Sequence, residues 1–342
     1  MMLSVTSPGS VSTLPARAVS RTGALVISLD FELHWGVRDL VPLNAGEQQR
    51  LIQARVIVPG LLKMFTRYGV RATWATVGAL FAQSREHYLH HAPRVDGSAM
   101  AGAEDLGGSE QQDPYHFAPS LISQIRSCEG QEVGCHSFNH FTAMEAGQTL
   151  THFAADLQSS RNIAAEAGIQ LKSYIFPRNQ VNEAYLRTLE HQQFATYRSN
   201  EPTALHASGS FATQRRWYKR AGRLADHYVN LCGDQTHELQ PQRQGLVAVP
   251  SSRYLRPFMP ALAFGEEFRE RRIVRAMEGA AVQNRIFHLW WHPEDFASHP
   301  KRNLAFLERL LMHFRGLRDR YGMQSLSMLE AAATYGSAPC PD

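Results

Sequence analysis

The strongest constraint on this chain is its exchange between two hydrophobic periods. Short apolar runs of strand length alternate with longer stretches at helical spacing. Residues 24–29 (ALVISL) form a continuous apolar run of the kind a doubly covered parallel strand requires. Residues 51–68 follow with helical spacing and stop at Gly69, and residues 71–77 (RATWATV) return to β-branched and aromatic composition. The exchange continues with strands expected at 132–135, 173–176, 194–197, 246–249, 286–291 and 323–328. Helices are expected at 119–128, 150–167, 183–192, 266–282, 303–321 and 329–333. Strands separated by helices imply parallel pairing through right-handed crossovers. The expected fold is therefore α/β: a distorted parallel (β/α) barrel of seven or eight strands in a single domain.

Three stretches fall outside this pattern. Residues 1–21 are rich in Ser, Pro, Thr and Gly and read as a disordered N-terminal lead, with no apolar core of a secretory signal. Residues 84–117 lack periodicity and read as a long excursion over the barrel mouth, and 200–245 are polar without a clear element. The catalytic barrel then spans 22–335, and 336–342 reads as a frayed tail.

Composition excludes several functions. Lys and Arg total 35 against 31 Asp and Glu, a net charge of +4, so nucleic-acid binding is not expected. The densest basic cluster, Arg215-Arg216-Trp217-Tyr218-Lys219-Arg220, reads as a solvated surface face, with an anionic substrate group as the alternative. Cys128, Cys135, Cys232 and Cys340 form no CxxC pair and read as free thiols of a reducing compartment. No apolar stretch is long enough to span a bilayer, so the cytoplasm is the default location. The oligomeric state is not legible.

In a parallel barrel, chemistry sits just beyond the C-terminal strand ends. The polar residues there are Asp30 and Glu32, His136 and His140, Arg178 and Asn179, and His292. His136 and His140 are spaced i, i+4, so one helical turn would place both imidazoles on one face to bind a Zn²⁺-like ion. A chance pair on a surface helix is the competing reading. Asp30 and Glu32 flank Phe31, and an extended chain would turn both carboxylates the same way. One could complete a His, His, carboxylate site and the other act as general base; a strand-end pair capping a neighbouring helix is the bland alternative. His288, Trp290 and His292 share one face by alternation, and His292, at the strand end, is the candidate acid. Trp35, Trp290 and Trp291 read either as packing or as sugar-binding surfaces.

Taken in order, these motifs resemble the polysaccharide deacetylase (NodB-homology) family of carbohydrate esterases. Ser28-Leu29-Asp30-Phe31-Glu32 is similar to its first motif and His136-Ser137-Phe138-Asn139-His140 to its HSxxH second motif. Phe176-Pro177-Arg178-Asn179 occupies the place of the arginine-bearing third motif, and Trp291-His292 that of the final histidine motif. Two departures stand out: the second carboxylate is a glutamate displaced by one residue, and Pro177 precedes Arg178. The resemblance implies a divalent metal, usually zinc, and hydrolysis of an N-acetyl group from an amino sugar or glycan precursor. It implies metal ligands His136, His140 and Glu32, with Asp30 the rival for the third position. Asp30 would be the base on a metal-bound water, His292 the acid, and Arg178 the residue that tunes Asp30. Trp35, Asn179 and Trp291 would touch substrate, and a backbone N–H near Arg178 and Asn179 would face the oxyanion. Opening of a cyclic amide or formamide, and sugar binding without turnover, are the competing functions.

Overall fold

The computed structural model describes residues 22–95, 103–239 and 245–336. The expected N-terminal lead and all of the tail beyond Gly336 lie outside them. In chain order the elements are β1 (Ala24–Phe31), α1 (Ala45–Tyr68), β2 (Ala72–Thr76), α2 (Arg85–His91), α3 (Pro119–Ser127), β3 (Gln131–Cys135) and α4 (Leu150–Glu166). Next come β4 (Ser173–Ile175), α5 (Glu183–His191), β5 (Thr196–Ser199), α6 (Phe211–Gln214), α7 (Trp217–Asp226), β6 (Val247–Pro250) and β7 (Arg253–Tyr254). The chain continues through α8 (Glu266–Gln283), β8 (Ile286–Trp291), α9 (Pro300–Tyr321), β9 (Gln324–Leu326) and α10 (Met328–Tyr335).

All named strands pair in parallel, in the order β6-β5-β4-β3-β2-β1-β8-β7, with β9 beside the first half of β1. The two ends of that order are adjacent in sequence. β6 pairs with β5, whereas β7 pairs with β8. Between them Ser251 N donates to Ser199 O and Ser252 N to His288 O, both at 2.8 Å. One continuous segment thus crosses from β5 to β8 and draws the sheet into a distorted barrel.

β1 is buried along its whole length but alternates between two environments. Leu25, Ile27, Leu29 and Phe31 join the large core between sheet and outer helices. Ala24 and Val26 point into the barrel, where Met328, Ala331, Ala332 and Tyr335 of α10 plug the N-terminal end. The next inward positions, Ser28 and Asp30, are polar and lie towards the opposite end. β8 repeats the pattern: Phe287, Leu289 and Trp291 face the outer core, while Ile286 belongs to the inner one. A plugged base and a polar top leave the C-terminal strand ends as the place for chemistry.

Several boundaries differ from the sequence reading for identifiable reasons. α1 begins at Ala45, because Asn44 Oδ1 accepts from Glu47 N at 3.0 Å and caps a polar first turn that carries no apolar signal. α2 lies inside the excursion expected to be irregular; Ser84 caps it, and only Tyr88 and His91 are buried, too few to set a period. α7 was missed because Asp226 is its one buried residue. Part of each stretch, residues 96–102 and 240–244, lies outside the described residues.

Candidate metal centre

Glu32, His136 and His140 converge at the top of the barrel. The carboxylate Oε2 of Glu32 lies 3.2 Å from Nε2 of both histidines. All three residues are buried. Their sequence neighbourhoods are built to meet. β1 ends at Phe31, Glu32 leaves extended geometry at φ −133°, ψ −18°, and Leu33 enters the left-handed region at φ 47°. The two carboxylates therefore approach one site through a turn, rather than along an extended strand. Glu32 folds back over Gly36, where a Cβ would come within 1.9 Å of Oε1, so a side chain there would displace the carboxylate.

The segment 136–140 is a loop rather than a helical turn. Ser137 and His140 both sit at positive φ, 62° and 57°, a local cost of the kind that persists where surrounding contacts hold it. Asp156, from α4, accepts from Phe138 N at 2.7 Å and Asn139 N at 3.1 Å, and Ser137 Oγ accepts from Phe141 N at 2.6 Å. Burial pushes the Asp156 carboxyl up to about 7 against the pull of those two amides. His136 Nδ1 meets the carbonyl of Ile175 at 2.9 Å. A carbonyl only accepts, so the proton sits on Nδ1 and the Nε2 lone pair faces Glu32.

This donor set fits a divalent ion. Glu32 Oε2 and His136 Nε2 are buried without a hydrogen-bond partner, an expensive arrangement for a carboxylate and an imidazole. Two imidazoles and a carboxylate are a familiar zinc ligand set, and four-coordinate bonds of about 2.0–2.1 Å would hold such atoms roughly 3.3 Å apart. A second trio, His87, His91 and Glu166, also has its atoms within 4.8 Å. There Gln83 N donates to His87 Nδ1, so the ring proton sits on Nε2 and goes to Glu166 at 3.0 Å, which describes a hydrogen-bonded clamp between α2 and α4.

Asp30 lies beside the trio and is held differently. Arg198 donates to it twice, NH1 to Oδ1 and NH2 to Oδ2, both at 2.7 Å. Burial alone would raise the Asp30 carboxyl, and Arg198, with His136 and His292, outweighs it, so the group is held below its usual range. Arg198 is itself fixed by Asn179 Oδ1 at 2.8 Å, Ser28 Oγ at 3.0 Å and the Trp290 ring at 4.4 Å. A directed chain continues below it: Ser28 donates to His288 Nε2 at 2.8 Å, and His288 Nδ1 donates to Pro250 O at 3.2 Å. Burial and Arg198 drive His288 down to about 3, so it stays neutral.

His292 faces both carboxylates from the end of β8. Its Nε2 is 3.8 Å from Asp30 Oδ2 and 3.6 Å from Glu32 Oε1. Its Nδ1 is 2.9 Å from Asp295 Oδ2, which also accepts from Tyr254 at 2.7 Å. Burial would lower this imidazole, but Asp295, Glu32 and Asp30 together hold it well above its ordinary value. A cleft of about 690 Å³ opens beside the site, walled by His140, Trp35, Tyr88, Asn139 and Arg178.

Three expected roles change. Arg178 does not reach Asp30: it sits at φ 54°, pairs with Asp39 at 2.5 Å and borders the cleft. Arg198 occupies the place expected for it. The spacing ends that strand at Tyr197, one residue before Arg198; β5 runs to Ser199, so Arg198 is an inward residue near a strand end. Trp291 is fully buried against Phe65 and Phe296, because alternation turns it to the outer core, and it does not face substrate. Asn179 spends its side-chain oxygen on Arg198 and its N–H on Phe176 O, so that N–H does not face an oxyanion. Trp35 does line the cleft, but its ring stacks on Tyr88 at 5.4 Å and carries Arg38 at 5.0 Å.

No family model matches the chain, and no curated protein matches it in sequence. Solved structures match in fold. A protein from Mycobacterium smegmatis described as a polysaccharide deacetylase is 15% identical, with a TM-score of 0.57 over 98% of this chain and 99% of that one. A PuuE allantoinase is 10% identical with a TM-score of 0.56, covering 94% of each chain. A protein from Pseudomonas aeruginosa described as a polysaccharide deacetylase is 10% identical with a TM-score of 0.54, over 91% of this chain and 89% of that one. The chain has the polysaccharide deacetylase fold, as the motif order implied.

Proposed function

We propose that this chain is a metal-dependent amide hydrolase that removes the N-acetyl group of an amino sugar or glycan precursor. The observation that carries this reading is the meeting, at one end of the barrel, of an Arg-held carboxylate, a carboxylate-oriented imidazole and a buried His, His, Glu trio. Glu32, His136 and His140 would hold the ion, zinc by ligand preference. When bound it would supply Lewis acidity, making water more acidic and polarising the amide carbonyl.

The remaining chemistry belongs to the protein. Asp30, kept ionised by Arg198, accepts the proton of the attacking water. Glu32 is committed to the histidines, which leaves Asp30 as the base. His292 carries a proton because three carboxylates surround it, and its Nε2 faces the same gap as Asp30. It donates that proton to the leaving amine, while Asp295 holds the ring through Nδ1. Acceptor and donor stand 3.8 Å apart, so both reach the two sides of one scissile bond. The open cleft on the His140 side gives room for a sugar ring.

The allantoinase among the fold relatives favours one second reading, hydrolysis of a cyclic amide by the same groups. Acetate release from a panel of N-acetylated amino sugars, run with Zn²⁺ beside allantoin and a formamide, separates the two. Acetate production abolished in Asp30→Asn supports the proposal. Turnover of the cyclic amide without acetate sinks it.

A further inference from the structure

The basic cluster 215–220 has a property that a merely solvated face does not need. In α7 the exposed residues include Trp217, Ala221 and Ala225, and the helical turn that follows continues to Val229 through its N–H to Ala225 O at 2.8 Å. Spacing of four puts these on one side of the helix. Trp217 is 80% exposed, Val229 60% and Tyr218 46%. Burying an indole elsewhere in the protein would be favourable, so a bare one on a helix is informative. Arg216 and Arg220, one residue before it and three after, are exposed on the same flank of the helix. No acid occurs between Glu201 and Asp226 in sequence, and Asp226 is buried against Arg253 at 3.1 Å and Arg272 at 2.8 Å. The helix therefore presents an apolar stripe with a positive flank and no exposed carboxylate of its own.

We infer that α7 docks on an anionic lipid bilayer. Aromatic rings at the headgroup level with basic side chains beside them are the chemistry of an interfacial helix. Among the described residues no helix is long and apolar enough to cross a membrane, so contact is with the surface. α7 is coupled to the cleft. Gln214, just before it, donates to Arg178 O at 3.1 Å, and Arg178 lies over the Phe211 ring at 4.6 Å. Docking would thus hold the rim of the cleft near the bilayer. If the deacylation reading also holds, and this narrowing rests on it, the substrate class is an N-acylated amino sugar carried on a membrane lipid.

The test needs no turnover, so it can fail or succeed separately from the proposed chemistry. The full chain is sedimented with phosphatidylcholine vesicles, with and without phosphatidylglycerol. The wild type is expected to pellet with the anionic vesicles and to be released by added salt. Each basic group near an anionic surface is worth roughly fivefold in partition. The double variant Arg216→Gln, Arg220→Gln should therefore bind about 25-fold more weakly, and Trp217→Ser roughly tenfold more weakly. Equal pelleting with both vesicle types, or variants that bind like the wild type, would overturn the inference. So would light scattering that shows a dimer abolished by Trp217→Ser, which would assign the stripe to a second copy of the chain.

Discussion

Arg198 grips Asp30 through two parallel hydrogen bonds of 2.7 Å, inside a barrel where both side chains are almost completely buried. A buried carboxylate without that partner would protonate or be expelled. The pair converts an unfavourable position into a fixed, charged carboxylate.

Arg198→Gln is expected to cost about 3–5 kcal/mol of stability, since it strands a buried charge. It should also lower kcat/KM at neutral pH by about 10²-fold or more. The proposed base acts in its ionised form, which is lost as pH falls through its pKa. Without Arg198 that pKa rises, so the acid limb of the pH–rate profile should move to higher pH. Arg178→Ala, which breaks only a partner at the cleft edge, should leave that limb in place.

Removing Glu32 should empty the trio. Glu32→Gln or His136→Ala should lose bound zinc measured by elemental analysis after dialysis, whereas Asp30→Asn should retain it. Zinc at about 100-fold over its Kd should stabilise the wild type by roughly 2.7 kcal/mol, and the two ligand variants by nothing, as read by thermal unfolding.

Gly36→Ala tests the turn that delivers Glu32. The added Cβ would lie 1.9 Å from Oε1, so the carboxylate must move. Zinc affinity, measured by competition with a chromophoric chelator, should fall about 10- to 100-fold, in the range of lost supporting contacts. Asp156→Ala should do the same from the other side, by releasing the amides of Phe138 and Asn139.

The imidazole of His292 makes a signed prediction for the metal-free protein. Its folded pKa lies well above the ordinary 6.5. Its contribution to stability is then full below about pH 6.5 and is lost as pH rises through the folded value. The difference in unfolding free energy between wild type and His292→Gln should shrink across that window in denaturant titrations. A difference that grows with pH would contradict the assigned charge.

Trp291→Ala should destabilise by about 3–5 kcal/mol in urea unfolding, because it empties a core site against Phe65 and Phe296. The fraction that remains folded should keep its kcat. Trp290, which covers Arg198, should show the converse balance, with more effect on rate than on stability.

Local chemistry was enough to read the strand–helix exchange, because an apolar run and a helical stripe are written in neighbouring residues. It was also enough to place Asp30, Glu32, His136, His140 and His292 at strand ends, and these do come together. The identity of the arginine was not local. Arg198 and Arg178 both stand near a strand end, and only strand register and the turn at φ 54° decide that one points inward and the other to Asp39. Alternation put Trp290 on the face of His292, yet the motif order pointed to Trp291, and burial against Phe65 and Phe296 decided against it; that Glu32 returns over Gly36 was not legible, since a backbone turn is set by contacts with residues far along the chain. Sequence alone determined the kinds of groups available to this protein. Tertiary structure decided which of them share a charge, because Coulomb and hydrogen-bond energies depend on separation in space rather than on distance along the chain.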